Sequence, residues 1–585
     1  MTNEEVAQEL EQIADLLEIA DANVFRVRSF RRAVESIAEL PEEVGVLVAE
    51  ERLTEVPGIG KGIAKIIEQL LATGTAEEKE ALLAEYPESL LEMLKISGFG
   101  PRKAAGVFRE LGISTVDELE QAAAAGRLQD LPGMGAKTEE NILKSIDAYR
   151  EGQQRALLGE ILPVAEDLVA RLREHPEVIH AEFAGSTRRH RETVGDLDLL
   201  ATSAHPAQVC EWFAGLEVLE ELTMAGDTKV SGRLSGGRQV DLRVVAGESF
   251  GAALQYFTGS QQHNIRLRER AQRMALTVNE YGVFTAENEE KGEMIAGATE
   301  EDVYAALDLP WIPPELREDR GEIAAAEAGQ LPELIELGDI RCDLQMHSHY
   351  SDGHASVEAM VRVCMELGYT HVGITDHSQA LSVANGMDAE RVRAQHEEIA
   401  KLNEKLNQEG SKFRVLQGIE ADILSDGSVD VPEGTFELVD YVIGALHQGF
   451  SADADKITAR MVAAVNSGLI DIVAHPTGRV LLARQPYGLH LDQLIAACAE
   501  NDVALEINAS PQRLDLDDSH ARFAVQQGCR LSINTDAHSP DSLTDMRYGV
   551  MQARRGWVEA GTVINTWSLR KLRSWLKRRP NSSDS

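Results

Sequence analysis

The sequence has few cysteines, no long apolar run and a deficit of positive charge. No stretch is long and apolar enough to cross a bilayer, and the first residues lack the pattern of a signal peptide. Five scattered cysteines in 585 residues argue against a disulfide framework and are typical of a reducing compartment. We therefore expect a cytoplasmic protein without a membrane-spanning segment.

Acidic residues far outnumber basic ones. The chain has 57 Lys and Arg against 97 Asp and Glu, a formal net charge of −40. Any binding of nucleic acid must therefore come from local basic patches, or from conditions in which salt screens the overall field. Two explanations for the acidic excess stay open, adaptation to a salt-rich cytoplasm and ordinary solvated helix faces. At this length we expect several domains, each with an ample core.

One stretch, residues 185–200, combines a Gly-Ser pair, a run of basic residues and two aspartates. Asp196 and Asp198 are one residue apart, so on a strand they point to the same side while the intervening leucine points into a core. A second alternating run, residues 239–245, places Asp241 on one face. Three such carboxylates suit two Mg²⁺ ions that carry a nucleoside triphosphate during phosphoryl transfer.

This arrangement resembles the nucleotidyltransferase superfamily, and specifically the family X DNA polymerases. The resemblance implies that Asp196, Asp198 and Asp241 are catalytic Mg²⁺ ligands, and that the partners are dNTPs and gapped or nicked double-stranded DNA. Residues 256–268 resemble the nucleotide-selection segment of that family. The nucleotide-binding residues that the resemblance implies are Gly185, Ser186, Arg189, Gly195, Tyr256, Phe257, Gly259, Asn264 and Arg268.

Three short Gly-x-Gly turns precede this region, and each joins two helical segments. Their glycines permit positive φ and close approach of a phosphate, and the helix that follows offers free N–H groups. The turns resemble helix-hairpin-helix motifs, which contact the DNA backbone without reading sequence, so binding should weaken as salt rises. The implied DNA-binding residues are Gly58, Gly60, Gly98, Gly100, Gly133 and Gly135.

The resemblance carries two further expectations for these hairpins. Animal members of the family remove a 5′-deoxyribose phosphate with a lysine, but Ile66 stands at that position and Gly62 at the position of a companion lysine. Lys61 and Lys65 are out of register, so we do not expect strong lyase activity by that route. Hairpin carbonyl groups also hold a monovalent cation in the family, and the matching positions are Val56, Ile59, Leu94, Ile96 and Phe99.

Residues 339–585 contain 11 of the 16 histidines, a concentration that indicates a metal site. Short β-rich runs, separated by helical stretches, each end on a potential ligand, and a βα repeat brings such ends to one rim of a barrel. The pattern resembles the polymerase and histidinol phosphatase (PHP) domain, a distorted (β/α)₇ barrel with up to three ions, here Mn²⁺ or Zn²⁺. The implied ligands, among which Glu420 would bridge, are His347, Asp352, His377, Glu420, His447, His475, Asp536 and His538.

The first of these runs departs from the family pattern. Where the family has His-x-His, this chain has Gln345-Met346-His347. Either the first metal site is weakened or the Gln345 amide oxygen serves as a ligand, and the departure favours a two-metal core over a full three-metal centre. His349 follows the expected end of the strand and is not expected to be a ligand.

The sequence thus predicts a multidomain chain: all-α helix-hairpin-helix domains, an α+β nucleotidyltransferase palm and an α/β barrel. The predicted boundaries are 1–80 for an N-terminal helical domain with the first hairpin, 81–150 for a fingers-like domain with two hairpins, 151–250 for the palm, 251–320 for a thumb-like nucleotide-selection subdomain, 321–338 for a linker and 339–585 for the PHP domain.

By resemblance, the expected function is gap-filling DNA synthesis in base excision repair or end joining, by a monomer. Its PHP domain would act as a Mn²⁺-dependent 3′→5′ exonuclease and as an endonuclease at abasic sites. Three alternatives are a repair nuclease with a non-catalytic palm, a template-independent nucleotidyltransferase and a DNA-binding scaffold. The three aspartates argue against the first, and two metal constellations argue against the last.

Overall fold

The computed structural model describes residues 1, 3–38, 44–49, 52–56, 58–94, 96, 99–129, 131, 134–153, 155–234, 237–287, 290–450 and 452–576. The chain divides into two compact units, Met1–Gln153 with Leu482–Arg484, and Gln154–Leu481 with Gln485–Ser585. Within the described ranges, no helix has the length and apolar character to cross a membrane. All five cysteines are buried free thiols.

The elements described within residues 1–153 of the first unit are helices, and apolar side chains at helical spacing form its cores. Sequence-local caps mark the ends of its helices. A capping box between Thr115 and Glu118 begins α8, and Gly74 in a left-handed conformation ends α4. The helices are α1 (Asn3–Ile19), α2 (Val24–Ala38), α3 (Val44–Ala49), α4 (Lys61–Thr73), α5 (Glu77–Glu85), α6 (Ser89–Met93), α7 (Pro101–Leu111), α8 (Val116–Ala124) and α9 (Ala136–Gln153).

The second unit opens with a palm region built on a five-stranded sheet of order β2-β4-β7-β6-β5. In this sheet β4 and β7 are parallel and the other neighbours are antiparallel. The elements are β1 (Ala156–Leu157), α10 (Leu158–Glu174), β2 (His180–Phe183), α11 (Gly185–Arg188), β3 (Thr193–Val194), β4 (Leu197–Thr202), α12 (Pro206–Ala214), β5 (Leu219–Ala225), β6 (Lys229–Leu234) and β7 (Gln239–Val245).

A thumb region follows, in which helices pack with a three-stranded antiparallel sheet of order β10-β9-β8. Its elements are α13 (Phe250–Thr258), α14 (Gln261–Arg273), β8 (Leu276–Asn279), β9 (Gly282–Glu287), β10 (Glu290–Ala296), α15 (Glu300–Ala305) and α16 (Glu322–Glu327).

The segment 321–338, predicted as a linker from its composition, is packed rather than free. It contains α16, and the buried Glu322 carboxylate lies 2.6 Å from His263 Nδ1. The other ring nitrogen of His263 lies 2.9 Å from the Tyr304 hydroxyl. Because all three polar groups are buried and bonded to one another, the start of this segment is part of the thumb core, whereas Ile335 packs into the barrel core.

A buried ion-pair cluster joins the thumb to the palm. Glu300 accepts two hydrogen bonds of 2.8 Å from Arg188 and one of 2.6 Å from Arg317, which is fully buried. Although burial alone would raise it, these two guanidinium groups hold the pKa of the Glu300 carboxyl well below its ordinary value of 4.5. The stabilisation is therefore complete at neutral pH and is lost as the pH falls below 4.5 toward the pKa of the folded state.

Glu300→Gln should lower the free energy of unfolding by about 3 kcal/mol, because it leaves the buried Arg317 and the partly buried Arg188 without their shared counter-charge. Thermal and urea denaturation at neutral pH would measure the loss. Glu301→Gln is the matched control, since Glu301 is the neighbouring residue and is exposed. Equal stability of the two variants would contradict a stabilising role for this cluster.

The rest of the second unit is a barrel region with a parallel sheet whose six strands follow chain order from β11 to β16. The strands are β11 (His371–Ile374), β12 (Arg414–Asp422), β13 (Tyr441–Ala445), β14 (Ile472–Val473), β15 (Ala504–Asn508) and β16 (Leu531–Asn534). The helices are α17 (Val357–Glu366), α18 (Ala389–Gln408), α19 (Ala454–Asn466), α20 (Leu491–Asn501), α21 (Asp518–Gln526), α22 (Met546–Arg555) and α23 (Leu569–Trp575).

The first predicted strand, residues 343–347, is not a ladder strand, but it lies between β11 and β16. The Thr375 N–H donates to the Met346 carbonyl at 2.9 Å on one side, and the His347 N–H donates to the Ala537 carbonyl at 2.8 Å on the other. The segment thus links the first and last strands of the curled sheet. The predicted fold classes, helical, α+β and α/β barrel, are confirmed.

Candidate active sites

The palm aspartates meet because β4 and β7 are parallel neighbours. Asp198 pairs directly with Asp241 in the register of the two strands, and Asp196 immediately precedes β4. Burial raises the pKa of the Asp198 carboxyl to about 7, and the carboxylates of Asp196 and Asp241 add to the shift. Two neighbouring carboxylates and partial burial make Asp198 the centre of a site that favours bound cations.

Asp241 has protein partners of its own. Lys229 Nζ lies 2.9 Å from its Oδ2, and Gln239 Nε2 donates to its Oδ1 at 3.1 Å. Burial opposes the shift, but these hydrogen bonds hold the pKa of Asp241 below its ordinary value. Among the described residues, groups of three or more side chains whose ligand atoms all lie within 4.8 Å of one another are found in the barrel region and not among these aspartates.

All nine predicted nucleotide-binding residues line one cavity of about 840 Å³, together with Asp196 and Asp198. Gly185 has φ of 61°, and a Cβ atom there would lie 2.5 Å from Asp198 Oδ2. Glycine is therefore required where the chain passes the carboxylate. Palm and thumb side chains face each other across this cavity, which is large enough for a nucleotide.

The thumb wall of the cavity is preorganised. Asn264 Nδ2 donates to the Tyr256 carbonyl at 2.7 Å, and the buried Gln255 donates to Asn264 Oδ1 at 2.8 Å. The rings of Tyr256 and Phe257 meet edge to face at 5.2 Å, and the Arg243 guanidinium lies 4.6 Å from the Phe257 ring centre. Both the nitrogen and the oxygen of the Asn264 amide are thus held by hydrogen bonds before any ligand binds.

Sequence reasoning missed four residues that line the same cavity. They are Arg155, Arg191, Gln261 and Glu318. The arginine at 191 belongs to the basic run after the Gly-Ser pair, a signal that could have singled it out. Gln261 lies within the segment 256–268 that the sequence singled out, whereas Arg155 and Glu318 reach the cavity through tertiary packing.

The second site centres on Glu420, a buried carboxylate in the barrel region. His447 Nε2 and His475 Nε2 each lie 3.2 Å from its Oε1, and His347 Nε2 lies 3.2 Å and His377 Nδ1 3.5 Å from its Oε2. Burial alone would raise the pKa of Glu420, but these imidazoles, His377 foremost, hold it well below its ordinary value. A carboxylate with two histidines at each oxygen has the arrangement of a bridging ligand.

Three overlapping groups of ligand atoms surround this carboxylate, each within 4.8 Å. Glu420, His347 and His377 each belong to two of them. The groups are His347 with Asp352, His377 and His538, then His377 with Glu420 and His447, and then His347 with Glu420 and Asp536. His475 contacts Glu420 but belongs to none of the three groups.

Further groups orient these ligands. Asp422 Oδ1 lies 3.1 Å from His447 Nδ1, and the Asp536 carbonyl lies 2.8 Å from His538 Nδ1. Such partners set the tautomer of a metal-binding histidine and its orientation. Asp422 was not singled out in the sequence, although it lies two residues beyond Glu420, where a strand returns to the same face.

The residues present fit divalent metal ions. Several polar atoms at this rim are buried without a hydrogen-bond partner, namely His347 Nδ1, His377 Nδ1, His475 Nδ1, Glu420 Oε2 and Gln345 Oε1. Buried polar atoms are rarely left unpaired, and imidazole and carboxylate donors suit Mn²⁺ or Zn²⁺. Gln345 is fully buried, and its Nε2 donates to Asp536 Oδ1 at 3.4 Å, so its side-chain amide lies beside a predicted ligand.

Comparison with known proteins identifies the family. Residues 1–76 match the model of a helix-hairpin-helix domain, 90–148 a SAM-like helix-hairpin-helix tandem, 253–318 the DNA polymerase beta thumb and 343–510 the PHP domain. Over 580 residues the chain is 39% identical to the DNA polymerase/3′-5′ exonuclease PolX of Bacillus subtilis (strain 168). The aligned region covers 99% of this chain and 100% of that protein. The chain belongs to the PolX family.

More distant relatives match parts of the chain. DNA polymerase lambda of Rattus norvegicus is 23% identical over 345 residues, 54% of this chain and 56% of that protein. A probable phosphatase of Thermoanaerobacter sp. (strain X514) is 24% identical over 249 residues, 40% of this chain and 95% of that protein.

The described residues of the three hairpins share one hydrogen-bond pattern. In each hairpin one N–H group donates to the carbonyl group three residues earlier. The donors are Ile59, Phe99 and Met134, at N···O distances of 3.1, 2.9 and 3.0 Å. Gly60, Gly100 and Gly135 are exposed and immediately precede α4, α7 and α9. Gly58 has φ of 90°, and the predicted Gly98 and Gly133 lie outside the described residues.

The structure gives a reason for the predicted lack of lyase chemistry in the first hairpin. Ile66 is buried within the apolar face of α4, next to Ile63 and Ile67. Lys61 and Lys65 are exposed on the opposite side of the same helix. A side chain at position 66 therefore belongs to this apolar core.

Proposed function

We propose that the chain is a DNA polymerase that fills short gaps during DNA repair and that its PHP domain is a metal-dependent 3′→5′ exonuclease. The observation that carries the proposal is the coexistence of two separate sites. One is a cavity lined by Asp196, Asp198 and nine residues expected to bind a nucleotide, and the other is the ligand cluster around Glu420. The polymerase and exonuclease activities in the name of the Bacillus subtilis relative support it.

In the palm, Asp196, Asp198 and Asp241 would hold two Mg²⁺ ions. The ions, when bound, activate the primer 3′-hydroxyl and stabilise the leaving pyrophosphate. Arg189 and Arg191 line the cavity and offer positive charge to the triphosphate. On the thumb side, the oriented amide of Asn264 faces the base, Tyr256 and Phe257 flank the sugar, and Arg268 contacts the template strand.

In the PHP domain, the eight predicted ligands would hold Mn²⁺ or Zn²⁺. When bound, the ions supply an activated water and polarise a phosphodiester at a DNA 3′ end. Glu420 would bridge two ions, and Asp422 would keep His447 Nε2 directed at Glu420. The number of ions, an endonuclease activity at abasic sites, a monovalent cation at the hairpins and the monomeric state stay predictions.

One assay separates this function from its rivals. The full-length protein is incubated with one-nucleotide-gapped DNA and with blunt DNA, with each dNTP supplied singly. Addition of only the complementary nucleotide to the gap identifies a templated polymerase, and addition of any nucleotide to either substrate identifies a template-independent transferase. Shortening of DNA without any addition would identify a nuclease with a non-catalytic palm, and binding without reaction would identify a scaffold.

Gln345→His should raise the affinity of the PHP domain for Mn²⁺ or Zn²⁺ by about tenfold, the size of effect that one partner typically has at a metal site. Imidazole is a stronger ligand than a neutral amide, and Gln345 is already buried, with its Nε2 bonded to Asp536 and its Oε1 without a hydrogen-bond partner. Metal titration followed by mass spectrometry measures the change. Gln345→Ala serves as the opposite control and should lower the affinity, whereas no change in either variant would remove Gln345 from the site.

A further inference from the structure

Arg555, the last residue of α22, is a buried arginine of the PHP domain that reaches the palm. Its Nη1 donates to the Arg189 carbonyl at 2.7 Å and to Glu318 Oε1 at 3.0 Å. Its Nη2 donates to Asp518 Oδ2 at 2.6 Å. Both terminal nitrogens are therefore engaged, and the PHP carboxylate holds the guanidinium in place against the palm and the thumb.

Glu318 links this arginine to the nucleotide cavity. Its Oε1 also accepts from Arg189 Nε at 3.1 Å, and Arg191 Nη1 lies 4.0 Å away. Arg189 further donates through Nη1 to the Thr258 carbonyl. The Arg189 guanidinium, which lines the cavity, is thus fixed by one thumb carboxylate that it shares with Arg555.

The charges show what Arg555 contributes. With Arg555 present, the Glu318 carboxylate is shared by guanidinium groups on both sides, so its negative charge is compensated at the cavity wall. Without Arg555, Glu318 would hold Arg189 more strongly and would draw its guanidinium away from an incoming triphosphate. The hydrogen bond to the Arg189 main chain would also be lost. Both effects weaken the binding of a nucleoside triphosphate.

We propose that Arg555 is a positioning residue for the polymerase site, by which the PHP domain orients Arg189 for the triphosphate of the incoming nucleotide. The inference rests on the proposed role of Arg189 in nucleotide binding. It makes the exonuclease domain a structural part of the polymerase, since Arg555 acts on the cavity from a different domain. The nucleotide cavity then depends on three regions of the chain, the palm, the thumb and the PHP domain.

The test is steady-state gap filling by the full-length protein as a function of dNTP concentration. Arg555→Met should raise the KM for dNTP by about tenfold, within the usual range for coupling through a packed network, and should change kcat far less. Arg555→Lys keeps the charge, but its donors leave a single nitrogen and cannot reach acceptors that two nitrogens of Arg555 contact, so its KM should fall between those of the wild type and Arg555→Met. The 3′→5′ exonuclease rate should stay unchanged in both variants.

Arg547→Met is the matched control. Arg547 lies on the same helix and pairs with palm Glu166 at 3.1 Å, but neither residue lines the nucleotide cavity. The Arg547→Met variant loses one ion pair between the same two domains, and its KM for dNTP should stay within about twofold of the wild type. An equal rise in KM for Arg547→Met would show a general effect of loosening the interface and would overturn the proposal.

A double-mutant cycle with Arg189→Ala separates this inference from the proposed pocket. If Arg555 acts through Arg189, the Arg555→Met change should add little to KM once Arg189 is replaced. A rise in KM for Arg189→Ala but not for Arg555→Met would overturn the inference alone. An unchanged KM for Arg189→Ala would overturn the pocket and the inference together, and parallel losses of kcat, exonuclease rate and thermal stability in both Arg555 variants would reduce Arg555 to a structural role.

Discussion

Asp198→Asn should abolish nucleotide addition and leave the 3′→5′ exonuclease intact. Asp198 lies between Asp196 and Asp241, directly opposite the latter in the strand register, and a neutral amide there cannot hold a pair of metal ions. Loss of metal stabilisation worth about 4 kcal/mol corresponds to a rate about 1,000-fold lower. Primer extension on gapped DNA and degradation of 3′-labelled single-stranded DNA measure the two activities in one preparation.

This substitution should not destabilise the fold. Burial and two neighbouring carboxylates raise the pKa of Asp198 to about 7, so the ionised carboxylate is unfavourable without metal and an isosteric amide removes that repulsion. We expect an equal or higher melting temperature in the absence of metal. Asp227→Asn, at an exposed palm aspartate, is the control and should keep both activities. Loss of both activities in Asp198→Asn would contradict the assignment of two independent sites.

Glu420→Ala should produce the opposite pattern, loss of exonuclease with retention of nucleotide addition. Four histidine nitrogens lie within 3.5 Å of its two oxygens, so its removal takes a ligand from two ion positions at once. We expect two fewer bound ions per chain by mass spectrometry and an exonuclease rate at least about 1,000-fold lower. Gap filling by the same protein shows that the palm is still folded.

His349→Ala is the control for this site. His349 is exposed and belongs to none of the three ligand groups, although it lies two residues after His347. It should therefore keep both the metal content and the exonuclease rate of the wild type. If His349→Ala loses as much metal as Glu420→Ala, the predicted register of residues 343–349 is wrong, and His349 is a metal ligand.

Much of the fold and of both candidate sites could be predicted because the signals are local. Alternation along one strand places Asp196 and Asp198 together, and the residue types that end successive strands indicate the metal rim around Glu420. The Gly-x-Gly turns likewise depend on φ preferences and helix starts that a few residues determine. Fold class and family are confirmed, whereas the role of each site residue stays a prediction.

Other features could not be predicted because they depend on packing between distant segments. The segment 321–338 is rich in Ala, Glu and Gly, which suggests a linker, yet Glu322 is buried against His263. The run 343–347 has the composition of a strand, but it forms an isolated bridge at Met346 and two main-chain hydrogen bonds to each side instead of a regular ladder. Composition reports the tendency of a segment by itself, and tertiary neighbours decide whether that tendency is realised.

The sequence by itself determined which chemistry the chain carries, since carboxylate pairs, histidine-rich strand ends and hairpin glycines are properties of short segments. Only the tertiary structure decided how the sites are supported and connected. Arg555 and Arg189 are 366 residues apart, and their hydrogen bond exists because α22 packs against the palm. A buried arginine satisfies its donors with whichever acceptors the fold brings to it, and no local pattern specifies those acceptors.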